Sequence, residues 1–283
     1  MTANPLFSVL IAQYNNGKYL DEAIDSVRAQ TYANWEIILV DDFSADNSRD
    51  LYKNYANDER IKIFYNEKNK GCGYTKRRCA ELANGEICGF LDPDDALLPH
   101  ALQSMMNVHT ENQDVALVFS RHYLCDNHLQ KKSESRLLRI AEGKSYFTNK
   151  DYSPEHFVSF KKKFYDKTAG ISPNYQLGID QDLYFKMEEV GDVYVLDEFT
   201  YMYRISTTSI SFANIPKSHY WNVIVRHDTC IRRGLNPSDY PLVDCLDYIA
   251  ILENRKLINS KAYRLGKLIL KPFSILRKVK NTQ

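Results

Sequence analysis

No stretch of this 283-residue chain is long and apolar enough to cross a bilayer; its hydrophobic runs are all short. Basic and acidic residues nearly cancel, leaving +1, so no global field draws the chain to nucleic acid. Six cysteines stand at 72, 79, 88, 125, 230 and 245, yet none forms a C-x-x-C pair and no zinc-ligand spacing occurs. Cys88 falls inside an apolar run and reads as a buried free thiol, which fits a reducing cytoplasm better than secretion. Met1–Pro5 runs straight into a strand, so no leader peptide is expected. Internal repeats are missing too. What the chain does have is a hydrophobic content of 44%, enough for one large domain plus an appendage. Its 20 Tyr and 13 Phe suit flat, partly polar ligands as well as ordinary cores.

The most informative stretch is Gly85–Asp95, GEICGFLDPDD. Ile87–Leu91 is apolar without a helical stripe and predicts a fully buried strand. Asp92, Asp94 and Asp95 crowd its exit, and Pro93 biases Asp92 toward extended geometry. Three carboxylates this close repel one another and invite a hard divalent cation with oxygen ligands. The plainer reading is a solvated acidic turn with Asp95 as a helix cap.

Strand and helix patterns alternate around this stretch. Phe7–Ala12, Trp35–Val40 and Ile61–Tyr65 read as strands. Leu20, Ala23, Ile24 and Val27 mark an amphipathic helix ending near Gln30. A polar helix is expected over 45–55 and another over 74–83. The alternation predicts an α/β fold with a parallel sheet flanked by helices. Ligands bind such sheets beyond the carboxyl ends of the strands. Tyr14-Asn15, Asp41-Asp42 and Asp92–Asp95 all fall there, so one edge should gather acids from distant segments.

Further along, a helix is expected from Pro99 to about His109 and a strand over Val115–Ser120. Residues 121–150 read as a hairpin or a mobile loop, 155–165 as a helix, and 180–190 as a helix with acids in its first turn. Val193–Leu196 and Phe199–Tyr203 read as two short strands. After Pro216 the character changes. Tyr220, Val223, Ile224 and Cys230 suggest a helix broken at Gly234 and Pro237, and Tyr248, Ile249, Ile251 and Leu252 suggest a second. From Arg255 onward there is no Asp or Glu. That basic amphipathic tail fits either an anionic membrane surface or a helix packed with a solvated basic face.

The segments FSVLIAQYNNGKYLDEAIDSVRAQTYANWEIILVDDFSADNS and NKGCGYTKRRCAELANGEICGFLDPDD strongly resemble family 2 glycosyltransferases. Weaker echoes follow in GIDQDLYFKM and YRISTTSIS. The resemblance implies a GT-A (Rossmann-like), mostly parallel sheet over residues 1–215 and a helical, basic extension over 216–283. It implies inverting transfer of a sugar from a nucleotide-diphosphate donor, most often a UDP-sugar, to a hydroxyl acceptor. Mg²⁺ or Mn²⁺ would assist. Asp94 is similar to the family's metal ligand and Asp92 to its donor-binding carboxylate near the ribose; Asp95 is left to hold a metal-bound water or to orient Asp94. Tyr14 resembles the residue stacked near the base, with Asn15 beside it, and Ala12 supplies backbone there. Asp42 resembles the carboxylate that receives the base edge, although alone it would read as a helix cap. Lys76 stands where the family usually has arginine.

Asp180 aligns with the family's base for the acceptor proton. Ile179 replaces the usual glutamate before it, and Asp182 is a fallback base or a first-turn acid favouring the helix dipole. Arg204 matches a later Y-R motif, Ser206 stands where many members carry a histidine, and Phe43 replaces a usual glycine. The resemblance points to surface polysaccharide or glycan synthesis with a saccharide or lipid-linked acceptor. The cysteines and the net charge point to the cytoplasm and to no nucleic-acid partner, and the basic tail, unless it packs on the main domain, points to the inner membrane face. Two alternatives stay open: a non-catalytic nucleotide-sugar binder, and a nucleotidyltransferase. The second would normally carry a glycine-rich phosphate loop after the first strand, and Gln13–Gly17 is not one.

Overall fold

The computed structural model describes residues 4–149, 156–205 and 215–240. Four strands carry the first half: β1 (Phe7–Gln13), β2 (Trp35–Asp41), β3 (Ile61–Tyr65) and β4 (Ile87–Phe90). They pair in parallel in the order β3-β2-β1-β4. β2 is buried along its whole length and β1 nearly so, which explains sequences apolar on both faces. The helices between them are α1 (Gly17–Arg28), the short α2 (Ser48–Leu51) and α3 (Cys72–Leu82). α1 buries Leu20, Ala23, Ile24 and Val27 against the β1–β2 core, as their spacing predicts. The helix expected over 45–55 is broken: α2 passes at Tyr52 into a 3-10 turn.

Beyond β4 the sheet becomes mixed. β8 (Val158–Lys161) inserts antiparallel beside β4, and β6 (Val115–Cys125) lies antiparallel beyond it. The helix expected over 155–165 is therefore corrected to this strand followed by one helical turn, α5 (Lys162–Tyr165). Phe157, Val158 and Phe160 are all buried at the centre of the sheet, and that packing overrides any local helical pattern. β7 (Lys131–Glu134) pairs antiparallel with the end of β6, so the 121–150 segment does open with a hairpin. The two short strands expected near 193–203 are one, β9 (Asp192–Arg204), whose pairing with β6 shifts register at three bulges. A two-residue strand, β5 (Ala96–Leu97), pairs with β9 and was not expected. α4 (Ala101–Glu111) and α6 (Ile179–Glu188) complete this unit.

Contacts divide the chain between Ser218 and His219, and the two units are described separately. α7 (Ile215–Arg232) carries the chain into the second unit, and Gly234, at φ +65°, turns the backbone out of the helix. The second helix suggested near Tyr248, and the basic tail from Arg255, lie outside the described residues. Among the described residues no helix is long and apolar enough to cross a membrane.

Candidate active site

The register of the parallel strands sets the site. Gln13 at the end of β1 lies opposite Asp41 at the end of β2, and Asp41 lies opposite Tyr65 at the end of β3. Phe90 at the end of β4 pairs with Leu10. The loops after all four strands therefore leave from one edge. Asn15 joins the first two loops: its backbone N–H donates to Ser44 Oγ at 3.0 Å, and its Oδ1 accepts from the Ala45 N–H at 2.7 Å. Tyr14 beside it is half exposed, and Ala12 lies opposite Val40.

Asp42 is buried at this edge and organises the loop after β3. Its Oδ1 accepts from Asn66 Nδ2 at 2.7 Å and from the Lys70 N–H at 2.8 Å, and its Oδ2 accepts from the Gly71 N–H at 2.8 Å. A carboxylate has about four acceptor positions, so Oδ2 keeps one for an incoming N–H. The chain then enters α3 through Gly71. At Gly73 a Cβ would come within 2.7 Å of the Ser172 carbonyl oxygen, so only glycine lets α3 approach the 172–175 loop this closely.

The three acids after β4 are held differently. Asp95 is buried; the Tyr201 hydroxyl donates to its Oδ2 at 2.8 Å and the Arg204 N–H to its Oδ1 at 2.7 Å. Burial and the charges of Asp94 and Asp92 still push its carboxyl well above the usual range. Asp94 is also raised, by burial and by Asp92, with the Asn16 side chain and Arg204 opposing. Its main-chain carbonyl accepts from Arg204 Nε at 2.6 Å. Arg204 is buried, lies over the Tyr19 ring at 4.2 Å, and also donates to Glu22 and to the Asn127 carbonyl. Three separate segments, around 16–22, at Asn127 and over 201–204, thus meet behind the acidic turn.

Lys76 closes the front. Its Nζ lies 2.8 Å from Asp180 Oδ1 and 3.4 Å from Asp92 Oδ1. Asp180 stands in the first turn of α6, entered through Gly178 in the left-handed region at φ +70°. Desolvation raises Asp180, but the Lys76 ammonium outweighs it and holds the carboxyl below its ordinary range. Desolvation likewise lowers Lys76, and Asp180 and Asp92 more than reverse that. Phe90, His156 and Tyr184 line the same cleft.

The sequence-derived residues therefore fall into two linked groups. Asp92, Lys76 and Asp180 share one cleft. Ala12, Tyr14, Asn15 and Asp42 lie along the ends of β1 and β2, and the Asn16 side chain beside them opposes the rise of the Asp94 carboxyl. At the start of α3 the Cys72 thiol is pushed up to about 11, by burial first and then by Asp180, Asp92 and Asp42, with Lys76 opposing. Sequence reasoning passed over Cys72, His156 and Tyr201. Asp182 is no open base: it is 1% exposed, and Lys186 Nζ and the Ser172 N–H both donate to its Oδ2, at 2.7 and 2.8 Å. Ser206 lies outside the described residues.

A Rossmann-like parallel half with acids gathered at the carboxyl ends of its strands, continued by a mixed sheet, defines an α/β protein of the GT-A fold. Residues 8–169 match the model of glycosyl transferase family 2, and the chain belongs to that family. It is 27% identical over 243 residues to a chondroitin synthase of Escherichia coli, covering 83% of this chain and 34% of that one. It is also 27% identical over 286 residues to the hyaluronan synthase of Pasteurella multocida, covering 96% of this chain and 28% of that protein. The chain thus spans about a third of the length of these synthases. Among solved structures, S. aureus TarS in complex with UDP-GlcNAc superposes with a TM-score of 0.64 at 17% identity, covering 83% of this chain and 69% of that one. The mannosyltransferase PcManGT of Pyrobaculum calidifontis, in complex with GDP-Man and Mn²⁺, gives 0.59 at 15% identity, covering 99% and 88%. Both share the fold.

Proposed function

We propose that residues 1–215 bind a UDP-sugar and transfer its sugar, with inversion, to a hydroxyl of a saccharide or lipid-linked saccharide during surface polysaccharide synthesis. The observation that carries this reading is the Asp92–Lys76–Asp180 ion-pair chain. It sets the Asp180 carboxylate across one cleft from the acidic turn, with a single ammonium between them. The relatives named as chondroitin and hyaluronan synthases support the product class, and the UDP-GlcNAc of the solved neighbour supports the donor class.

In the reaction the acceptor oxygen forms a bond to the anomeric carbon while the bond from that carbon to the diphosphate oxygen breaks. The hydroxyl proton passes to the Asp180 carboxylate, and the electron pair of the broken bond leaves with UDP. Tyr14 stacks near the base, Ala12 and Asn15 shape its edge, and the open position on Asp42 Oδ2 accepts from it. Asp92 binds near the ribose, and Lys76 supplies positive charge toward the phosphates.

A divalent cation fits Asp94. Burial and Asp92 make that carboxylate unfavourable as a bare anion, whereas both oxygens of Asp95 are already occupied by Tyr201 and Arg204. Among the described residues no cluster of three or more metal-ligating side chains exists. Mg²⁺ suits such a sparse site, because it takes one or two carboxylates plus phosphate oxygens and water; Mn²⁺ is the other candidate. When bound, the cation offsets charge growing on the departing diphosphate.

UDP release from a panel of UDP-sugars, with Mg²⁺ or Mn²⁺, tests the reading. Asp180→Asn and Asp94→Ala should each abolish release, and release surviving Asp94→Ala refutes the assigned metal ligand. The membrane partner is tested by flotation: the full chain should rise with anionic vesicles, and the same chain without residues 255–283 should not.

A further inference from the structure

We propose that Lys76 is a positioning residue that couples donor binding to the base: without donor its ammonium holds the Asp180 carboxylate, and a bound nucleoside diphosphate draws the ammonium away and frees Asp180 for the acceptor hydroxyl. This rests on the donor and base assignments above.

The geometry gives one cation two carboxylates to serve. Lys76 rises from α3 with its side chain buried, passes the Phe90 ring at 5.1 Å, and meets Asp180 at 2.8 Å and Asp92 at 3.4 Å. Asp92 belongs to the acidic turn that faces the donor, whereas Asp180 belongs to α6. The ammonium therefore already sits between the donor side and the base. A diphosphate carries more charge than either carboxylate and offers several acceptor oxygens, so it competes well for a charge-assisted bond. The lysine itself matters here. An arginine fork would lock onto one carboxylate in a fixed plane, while an ammonium on a flexible stem can turn from one acceptor to another without loss of geometry.

The consequence is an order of events. A carboxylate held by an ammonium binds protons poorly and makes a weak base. Asp180 becomes an effective base only after the donor has arrived, so the acceptor is activated only beside a sugar ready to receive it. The other titratable groups around the pair are Asp92, His156, Tyr184 and Cys72.

The test reads Asp180 directly. Carbon-13 NMR of aspartate-labelled full chain, with the resonance assigned by Asp180→Asn, gives the titration of this carboxyl with and without UDP and Mg²⁺. Without UDP, Asp180 should titrate about one pH unit or more lower in the wild type than in Lys76→Met. Saturating UDP raises both through its own charge. It should also close the gap between them, because Lys76 has left. A gap that persists while UDP is bound overturns the proposal. Phosphorus NMR of the same samples reports UDP binding; a wild-type chain that binds no UDP overturns the donor reading and this coupling with it. Should Lys76→Met fail to fold, a crystal structure of the wild type with UDP and Mg²⁺ decides. Nζ must then lie on a phosphate oxygen, beyond hydrogen-bonding distance of Asp180, and an unbroken pair refutes the coupling.

Discussion

Asp180 and Asp182 sit two residues apart in the first turn of α6, and one substitution at each should separate chemistry from architecture. Asp182 is buried and serves two ends of the structure. It pairs with Lys186 one helical turn on, at 2.7 Å, and accepts the Ser172 N–H at 2.8 Å. Lys186 also donates to the Gly170 carbonyl at 2.7 Å, so the pair ties α6 to the 170–172 loop. Asp182→Ala leaves a buried ammonium without its carboxylate, which costs about 3–5 kcal/mol. At about 2 °C per kcal/mol for a chain of this size, the melting temperature should fall by about 6–10 °C. Asp182→Asn keeps one acceptor oxygen and should lose about half as much. Asp180 is different, because its side chain is 46% exposed. Asp180→Asn should lower the melting temperature by no more than about 2 °C, since buried Lys76 keeps Asp92 at 3.4 Å and gains an amide oxygen at position 180. UDP release measured beside a thermal melt separates the two. An Asp182→Asn chain that melts like the wild type but releases no UDP would make Asp182 the base and overturn the assignment of Asp180.

Phe43 has φ +67° and a half-exposed ring, so Phe43→Gly should stabilise the chain by about 1 kcal/mol in chemical denaturation. A loss of stability would show that its contact with Arg49 outweighs the backbone strain. His109 and His122 are buried, and both imidazoles are pushed down to about 3, chiefly by desolvation. The unfolded chain binds their protons first, so stability should fall as pH drops from about 6.5 toward 3, at about 1.4 kcal/mol per pH unit for each histidine. His109→Gln should remove about half of that slope in melts between pH 6.5 and 5. Asp94 is raised in the folded chain, so its ionisation costs stability as pH climbs above the ordinary carboxylate range. Asp94→Asn should therefore melt no lower than the wild type at pH 8 while losing Mg²⁺-dependent UDP binding by calorimetry.

The first ninety residues were legible because periodicity and topology agree there. Uninterrupted apolar runs such as Trp35–Val40 have one common use, the middle of a parallel sheet, and parallel strands send their following loops to one edge. That logic puts Tyr14, Asn15, Asp42 and Asp92 along one edge from the sequence pattern alone. What stayed hidden was how each acid is satisfied. Asp42 and Asp180 look alike in the sequence, yet one is buried under three protein donors and the other is half exposed on a single ammonium. Partners such as Asn66 and Lys76 are set by tertiary approach, to which local pattern is blind.

The second half was misread where strands run against the local pattern, and that region builds the back of the site. β8 enters the sheet antiparallel between β4 and β6, and the residue ahead of Phe157 brings the His156 ring to the cleft. His156 stacks on Tyr201 at 5.3 Å and on Tyr203 at 4.8 Å, so β9 is read through it from the cleft side. From β9, Tyr201 and Arg204 reach the acidic turn that the first half supplies. The bulges between β6 and β9 follow the same logic. An extra residue re-aims every side chain after it, and three such shifts precede the stretch where β9 delivers Tyr201 and Arg204. The parallel half presents three acids and pairs one of them, Asp92, with its own Lys76. Asp95 depends on Tyr201 and the Arg204 N–H, and the Asp94 carbonyl on Arg204 Nε, and the irregular pairing of β6 with β9 puts those donors where they are needed.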